Sequence, residues 1–120
     1  MTPSPQATTE VRFTPEFKRN LQALYKKYRH IRADIEPVVE QLKKGERPGD
    51  QVPGVGYAIY KVRIQNHDAG KGKRGGYRVI YYVAMPTLVI LVTIYSKNEQ
   101  SDISAAQVRR IIKEFTAGDS

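Results

Sequence analysis

The sequence predicts a single α+β domain, in which two helices come first, three strands follow and one helix closes the chain. Apolar residues recur with the helical period of about 3.6 up to residue 45, and with a period of about 2 in the segments 57–64 and 77–83. The chain has 120 residues, which leaves room for one hydrophobic core. Helices and strands that are segregated along a chain favour a small, twisted, largely antiparallel sheet.

The expected domain covers residues 11–116, with a disordered tail at 1–10 and a polar tail at 117–120. Residues 1–9 are polar and proline-rich, which argues against a signal peptide. The longest apolar run, Leu88–Ile94, is too short to span a bilayer, so we expect no membrane partner. The chain contains no cysteine, which excludes disulfides and thiolate metal sites and is compatible with a cytoplasmic protein.

The first predicted helix follows a short β-like segment, Val11–Phe13. Thr14 suits the N-cap, because its hydroxyl can accept a backbone N–H of the first turn, and Pro15 suits the first helical position. Four apolar residues at helical spacing then form one stripe: Phe17, Leu21, Leu24 and Tyr28. Together these features predict a helix of about four turns.

A second helix is predicted to end at Lys43–Gly45, where lysines meet the negative end of the helix dipole and glycine can terminate it. Pro37 would disrupt a helix interior. We therefore expect Asp34 to be the N-cap, since Pro37 then lies in the first turn, where no N–H donor is needed. The short connection between the helices favours an antiparallel hairpin.

The second half of the chain predicts three strands and a final helix. Residues 46–56 contain three glycines and two prolines and are interpreted as a loop. The strands are Tyr57–Ile64, Tyr77–Val83 and Leu88–Tyr95, the last of which is apolar enough for a central strand covered on both faces. Ser104 and Gln107 form a capping box for the last helix. The predicted order is β-α-α-β-β-β-α.

Positive charge is concentrated on one part of the predicted sheet. The net charge is +8, which indicates a polyanionic partner: nucleic acid, anionic lipid or an acidic protein. Six cations and one anion lie between residues 57 and 82. The cations are Lys61, Arg63, Lys71, Lys73, Arg74 and Arg78.

Strand alternation places Lys61 and Arg63 on one face, and Arg78 joins them if the two strands pair as a hairpin. Three cations that converge on one phosphate can stabilise the transition state of RNA cleavage by the neighbouring 2′-hydroxyl. Nearby tyrosines could stack an unpaired base; they are Tyr57, Tyr82 and Tyr95.

Other interpretations of the same residues stay open. Alternating cations are typical of the solvated face of a strand, and tyrosines more often pack in a core or at its rim. The glycine-lysine segment at residues 70–76 lacks the spacing of a Walker A motif, although it could contact phosphate. No pair of histidines or carboxylates has metal-ligand spacing, so we expect neither a metal nor another cofactor.

Three segments, taken in order, resemble the RelE/ParE superfamily of toxins from type II toxin–antitoxin systems, and in particular its RelE branch. They are Tyr60–Arg63, Gly76–Tyr81 and Ser96–Glu99, and the resemblance extends over roughly residues 11–115. It implies a compact RelE-like α+β toxin that a cognate antitoxin holds inactive. In the RelE branch the toxin enters the ribosomal A site and cleaves mRNA without a metal.

The resemblance assigns catalytic or phosphate-binding roles to Lys61, Arg63 and Arg78. The remaining candidates for RNA binding are Lys71, Lys73, Arg74, Lys97 and Tyr82. An acidic antitoxin segment is expected to cover this cationic face.

Two positions depart from the RelE pattern: Asn98 stands in place of an arginine and Ser104 in place of a tyrosine. The acid–base roles then pass to Lys97, Tyr95 or His67, or the chain is a weaker nuclease. A ParE-like toxin, which shares the fold and poisons DNA gyrase without cleaving anything, is an alternative. A basic RNA-binding module without catalysis is another.

Overall fold

The protein is described by a computed structural model over residues 8–68, 75–100 and 102–118. Eight helices and strands lie within these ranges. In chain order they are β1 Glu10–Phe13, α1 Pro15–Lys27, α2 Ile31–Lys43, β2 Asp50–Val52, β3 Ile59–Ile64, β4 Tyr77–Met85, β5 Leu88–Ser96 and α3 Ala105–Gly118. None of the helices in the described ranges has the length and apolar character that crossing a membrane requires.

The five strands form one sheet in the order β1-β5-β4-β3-β2. β1 runs parallel to β5, and every other pair is antiparallel. The predicted α+β class and the largely antiparallel sheet are therefore confirmed. β5 lies between β1 and β4, and all its residues after Leu88 are buried, as its apolar sequence predicts.

Helices cover both faces of the sheet. α1 and α2 pack on one face, where Phe17 and Leu42 contact a core that includes Tyr77 and Tyr81. α3 packs on the other face, where Ile112 joins a second core. The strand residues of that second core are Ile59, Ile80, Val92 and Tyr95. The sheet is thus the middle layer of three, and the buried apolar side chains of β3 and β4 belong to one core or the other.

Thr14 attaches α1 to the sheet as well as capping it. Its hydroxyl accepts the backbone N–H of Phe17 at 3.0 Å and donates to the carbonyl of Val92 at 2.7 Å. Thr14 is fully buried, so both bonds are shielded from water. The predicted N-cap is confirmed, and the bond to β5 adds a tertiary role to it.

The predicted start of the second helix is wrong. α2 begins at Ile31, and the backbone N–H of Asp34 already donates to the carbonyl of His30 at 3.0 Å. Asp34 is therefore not the N-cap, and Pro37 lies inside the helix. The carboxylate of Asp34 is used elsewhere, because it accepts the backbone N–H of His67 at 3.2 Å.

β2 is a second correction, because it lies within the segment that the sequence predicts to be a loop. Its three residues pair with β3 through Asp50–Lys61, Gln51–Tyr60 and Val52–Ile59. Gly49 precedes the strand with a φ of +90°, and a Cβ there would lie 2.3 Å from the carbonyl oxygen of Lys61. The glycine thus permits the close approach of the two strands.

Candidate functional site

The register of β3 and β4 places the three predicted cations on one face. Arg63 lies directly opposite Arg78, and Lys61 lies opposite Ile80. Ile80 belongs to the core beneath α3, so the cations share the face that α3 covers. The structure therefore brings together Lys61, Arg63 and Arg78, as strand alternation predicts.

The three cations differ in their exposure to water. Arg63 is exposed, the Lys61 side chain is 33% exposed, and Arg78 is only 6% exposed. The guanidinium of Arg78 donates to the carbonyl of Tyr77 at 3.2 Å. Burial, and then the charge of Arg63, lower the pKa of Arg78. A buried guanidinium opposite a second one favours binding of an anion, because the anion's charge offsets their repulsion.

Asp102 joins this face from the segment that links β5 to α3. Its Oδ1 atom lies 3.2 Å from Nζ of Lys61 and accepts the hydroxyl of Tyr95 at 3.4 Å. Sequence reasoning missed Asp102, which the pattern suggests is only a charge before the last helix. No local signal could have found it, because 41 residues separate Asp102 from Lys61 along the chain.

Tyr95 lies opposite Arg78 on β5 and is buried. Burial raises the pKa of Tyr95 to about 12, and the charge of Asp102 and the hydrogen bond to it act in the same direction. Tyr95 is therefore a neutral hydrogen-bond donor at physiological pH. The position that the RelE pattern gives to an arginine is occupied by Asn98, whose backbone N–H donates to the hydroxyl of Ser96 at 3.3 Å.

Tyr82 lies toward the other end of the same face. Its ring packs edge-on against Tyr57, with ring centroids 5.1 Å apart and planes at 74°. Both tyrosines are half-buried, so part of each ring can still contact a ligand. In the strand register Tyr82 lies opposite Ile59, and the next row on this face holds Lys61 and Ile80. The row of Arg63 and Arg78 follows, so Lys61 is the cation nearest to the tyrosine pair.

The remaining predicted RNA-binding residues lie near the start of β4 or outside the described ranges. Lys97 is exposed, and its backbone N–H donates to the carbonyl of Gly76 at 2.9 Å. Lys71, Lys73 and Arg74 lie outside the described residues. Ser104 caps α3, because its hydroxyl accepts the backbone N–H of Gln107 at 3.1 Å, which confirms the predicted cap.

His67 is held against α2 rather than against the three cations. Its ring Nδ1 contacts the carboxylate of Asp34, whose side chain is almost completely buried. The next residue, Asp68, makes a second pair with His30, at 2.8 Å to the backbone N–H and 2.5 Å to ring Nδ1. The two His–Asp pairs anchor the segment after β3 to the helical hairpin.

Asp68→Asn is expected to lower the pKa of His30 toward 6.5. The pKa of His30 is raised above that value by its hydrogen bond to Asp68 and then by the carboxylate's charge. The pair therefore stabilises the fold most fully between pH 3.8 and 6.5. This stabilisation is lost as the pH rises through the raised pKa of His30, and also as it falls through the pKa of Asp68, which the hydrogen bonds to His30 lower. NMR titration of the imidazole measures the shift, and Asp50→Asn, which removes an exposed carboxylate on β2, is the control. A His30 pKa that is the same in the Asp68 variant as in the wild type would contradict the pairing.

The family model for the ParE toxin of type II toxin–antitoxin systems, parDE, matches residues 11–101. The match includes α1, α2 and the four strands β2 to β5, together with Lys61, Arg63 and Arg78. It extends over well more than half of the 120 residues. The chain therefore belongs to the ParE toxin family, within the RelE/ParE superfamily, and is a toxin of a type II toxin–antitoxin system.

Proposed function

We propose that this toxin is a metal-independent endoribonuclease that cleaves mRNA at the ribosome and thereby stops translation. The observation that carries the proposal is the pairing of Arg63 with Arg78 on the face where Lys61 and Tyr95 meet Asp102. This cluster combines fixed positive charge with groups that can exchange protons. Both are needed to cleave a phosphodiester with the neighbouring 2′-hydroxyl.

Fixed guanidinium groups suit the charge that develops in this reaction. As the 2′-oxygen attacks phosphorus, negative charge grows on the non-bridging phosphate oxygens, and arginine can bind two of them at once. Arg78 is already held in place on the sheet, so little reorganisation is needed when the charge develops. In this proposal Arg63 binds the incoming phosphate from the exposed side.

Substrate RNA would extend from Lys61, Arg63 and Arg78 over the part of this face that α3 leaves open to the solvent. Tyr82 is proposed to stack an unpaired base, and Lys97 to contact the backbone near the start of β4. Lys71, Lys73 and Arg74 remain proposed phosphate contacts. As a toxin of a type II system the chain has an antitoxin partner, and we propose that an acidic antitoxin segment covers these cations.

Poisoning of DNA gyrase is the second candidate function. The matching family model is that of the ParE toxin, and Asn98 and Ser104 stand where the RelE pattern has an arginine and a tyrosine. A gyrase poison needs a binding surface and no proton transfer, so these two departures would not affect it. The two candidate functions differ in the molecule that is damaged first, which is mRNA for a ribonuclease and DNA for a gyrase poison.

The test is a reconstituted translation reaction that receives the purified toxin. We expect the mRNA to be cut when ribosomes are present. Cleavage should continue after addition of a metal chelator that spares ribosomal magnesium. Mapping of the 5′ ends locates the cuts. Intact mRNA together with gyrase-dependent DNA breaks would support the second candidate. Intact mRNA and intact DNA, with translation still blocked, would point to RNA binding without catalysis.

Arg63→Gln is expected to slow mRNA cleavage at least about tenfold, because it removes one charged phosphate donor. Arg63 is exposed, so the fold should tolerate the change. Arg19→Gln is the matched control, because Arg19 is an exposed arginine on α1, a helix whose buried side chains pack on the face of the sheet opposite the three cations. Equal loss of cleavage in both variants would show that overall charge, rather than this site, determines activity.

A further inference from the structure

Among the described residues, Asp102 is the one carboxylate that forms an ion pair with the cationic cluster of Lys61, Arg63 and Arg78. It lies between β5 and α3, and its Oδ1 atom has three donors within hydrogen-bond range. They are Nζ of Lys61 at 3.2 Å, the hydroxyl of Tyr95 at 3.4 Å and the backbone N–H of Ile103 at 2.8 Å. Donors from β3, from β5 and from the backbone just before α3 thus hold one carboxylate oxygen in place.

The second carboxylate oxygen of Asp102, Oδ2, differs from Oδ1 in its hydrogen bonding. Among residues 8–68, 75–100 and 102–118, none has a hydrogen bond to Oδ2 of Asp102. The side chain is 65% exposed. An anchored carboxylate with one oxygen open to the solvent is the arrangement that a general base requires, because the base must be fixed and its lone pair must reach the substrate.

We propose that Asp102 is the general base that takes the proton from the attacking 2′-hydroxyl. This inference rests on the proposed ribonuclease function. The 2′-oxygen then forms a bond to phosphorus, the bond from phosphorus to the 5′-oxygen breaks, and the ammonium of Lys61 gives a proton to the leaving 5′-oxygen. The products are a 2′,3′-cyclic phosphate and a 5′-hydroxyl.

The contact between Asp102 and Lys61 also allows both groups to return to their starting protonation states. After cleavage Asp102 carries the proton from the 2′-hydroxyl and Lys61 is a neutral amine. Because the two groups lie 3.2 Å apart, the proton can pass from the carboxyl to the amine, and no external acid is consumed. Arg63 and Arg78 take no part in proton transfer and bind the phosphate.

The local electrostatics keep Asp102 ionised. The backbone N–H of Ile103 lowers the pKa of Asp102 below 3.8, and the hydrogen bond and charge of Lys61 act in the same direction against partial burial. At neutral pH the carboxylate is therefore in the form that accepts a proton. The charged and titratable groups near Asp102 on the strands of this face are Lys61, Arg63, Arg78 and Tyr95. Asp50 lies opposite Lys61 on β2, and Tyr82 lies further along β4.

Asp102→Asn tests the proposal, because an amide oxygen can still accept from Lys61, Tyr95 and Ile103 but cannot take a proton. We expect the single-turnover cleavage rate to fall about 10²-fold or more, with little change in affinity for the programmed ribosome. Glu99→Gln is the matched control. Glu99 lies on the same loop, pairs with Lys27 of α1 at 3.6 Å and should leave the rate within about twofold.

The pH dependence distinguishes a base from a residue that only holds its neighbours. The wild-type rate should be flat between about pH 5 and 8, since Asp102 is ionised throughout. In Asp102→Asn hydroxide must replace the base, so the rate should rise about tenfold per pH unit. A variant rate that is lower but equally flat would assign Asp102 a purely structural role and overturn the proposal.

A sulfur atom in place of the scissile 5′-oxygen gives a second test, because thiolate leaves without protonation. Asp102→Asn should remain slow on this substrate, and recovery to the wild-type rate would show that Asp102 acts on the leaving group instead. Absence of cleavage by the wild type would refute the ribonuclease function itself. If the wild type and Asp102→Asn cleave this substrate at the same rate, the role of Asp102 as the general base is refuted, but the ribonuclease function is not.

Discussion

Replacing Arg78 with methionine is expected to lower mRNA cleavage about 10³-fold and to abolish growth inhibition while the protein stays folded. Arg78 is the most deeply buried of the three cations and lies opposite both Arg63 and Tyr95. Loss of a fixed donor to a developing oxyanion typically costs about 10²- to 10³-fold, and this guanidinium offers two donors. The measurement is the single-turnover cleavage rate on programmed ribosomes.

Methionine is chosen because the fold should tolerate it. It has a length similar to that of the arginine stem, and it removes a buried charge that faces another guanidinium. We expect the free energy of unfolding to change by less than about 1.5 kcal/mol. Arg109→Met is the control, because Arg109 is a half-buried arginine of α3 that donates to the carbonyl of Val55 at 3.4 Å. Full toxicity of the Arg78 variant would place the functional site elsewhere.

Gly76→Ala is expected to lower the free energy of unfolding by about 3 kcal/mol or more, and the midpoint of thermal unfolding by roughly 10 °C. A Cβ at Gly76 would lie 1.9 Å from the carbonyl oxygen of Ile64 and 3.0 Å from the backbone nitrogen of Asn66. Those atoms belong to the end of β3 and the residues just after it, and backbone cannot move aside as a flexible side chain can. β3 and β4 must therefore separate where Arg63 faces Arg78.

Gly54→Ala provides the control for Gly76. Gly54 has a φ of +82° and no atom within 4 Å of an added Cβ, so alanine there meets conformational strain without a steric clash. We expect that variant to lose about 1 kcal/mol. Chemical denaturation of both variants gives the comparison. A Gly76 variant as stable as the Gly54 variant would mean that the strands are further apart than the structure shows.

Much of the fold could be predicted from the sequence, because the signals are local. Thr14 and Ser104 act as caps through residues within one turn, so the sequence around each contains all that is needed. The alternation in β3 and β4 likewise predicts which side chains share a face, since a strand has a fixed period of two. The grouping of Lys61 with Arg63 and Arg78 follows from that period once the two strands pair as a hairpin.

The wrong predictions concern segments whose local structure depends on contacts with distant parts of the chain. Asp34 has a sequence context suited to an N-cap, but its carboxylate instead binds His67, 33 residues further along the chain. Asp50–Val52 has no strand pattern of its own, since three residues are too few for a period, and its pairing with β3 makes it a strand. Composition around either segment could not reveal these partners.

The sequence by itself determines the α+β class, the order of most helices and strands, and the face on which the three cations lie, because periodicity and capping depend only on neighbouring residues. The tertiary structure alone decides that Arg78 is buried and that Arg63 is exposed. It also decides that Asp102 reaches Lys61 and Tyr95. Burial and ion pairing depend on which remote segments pack together, and that choice is made by the whole chain as it folds.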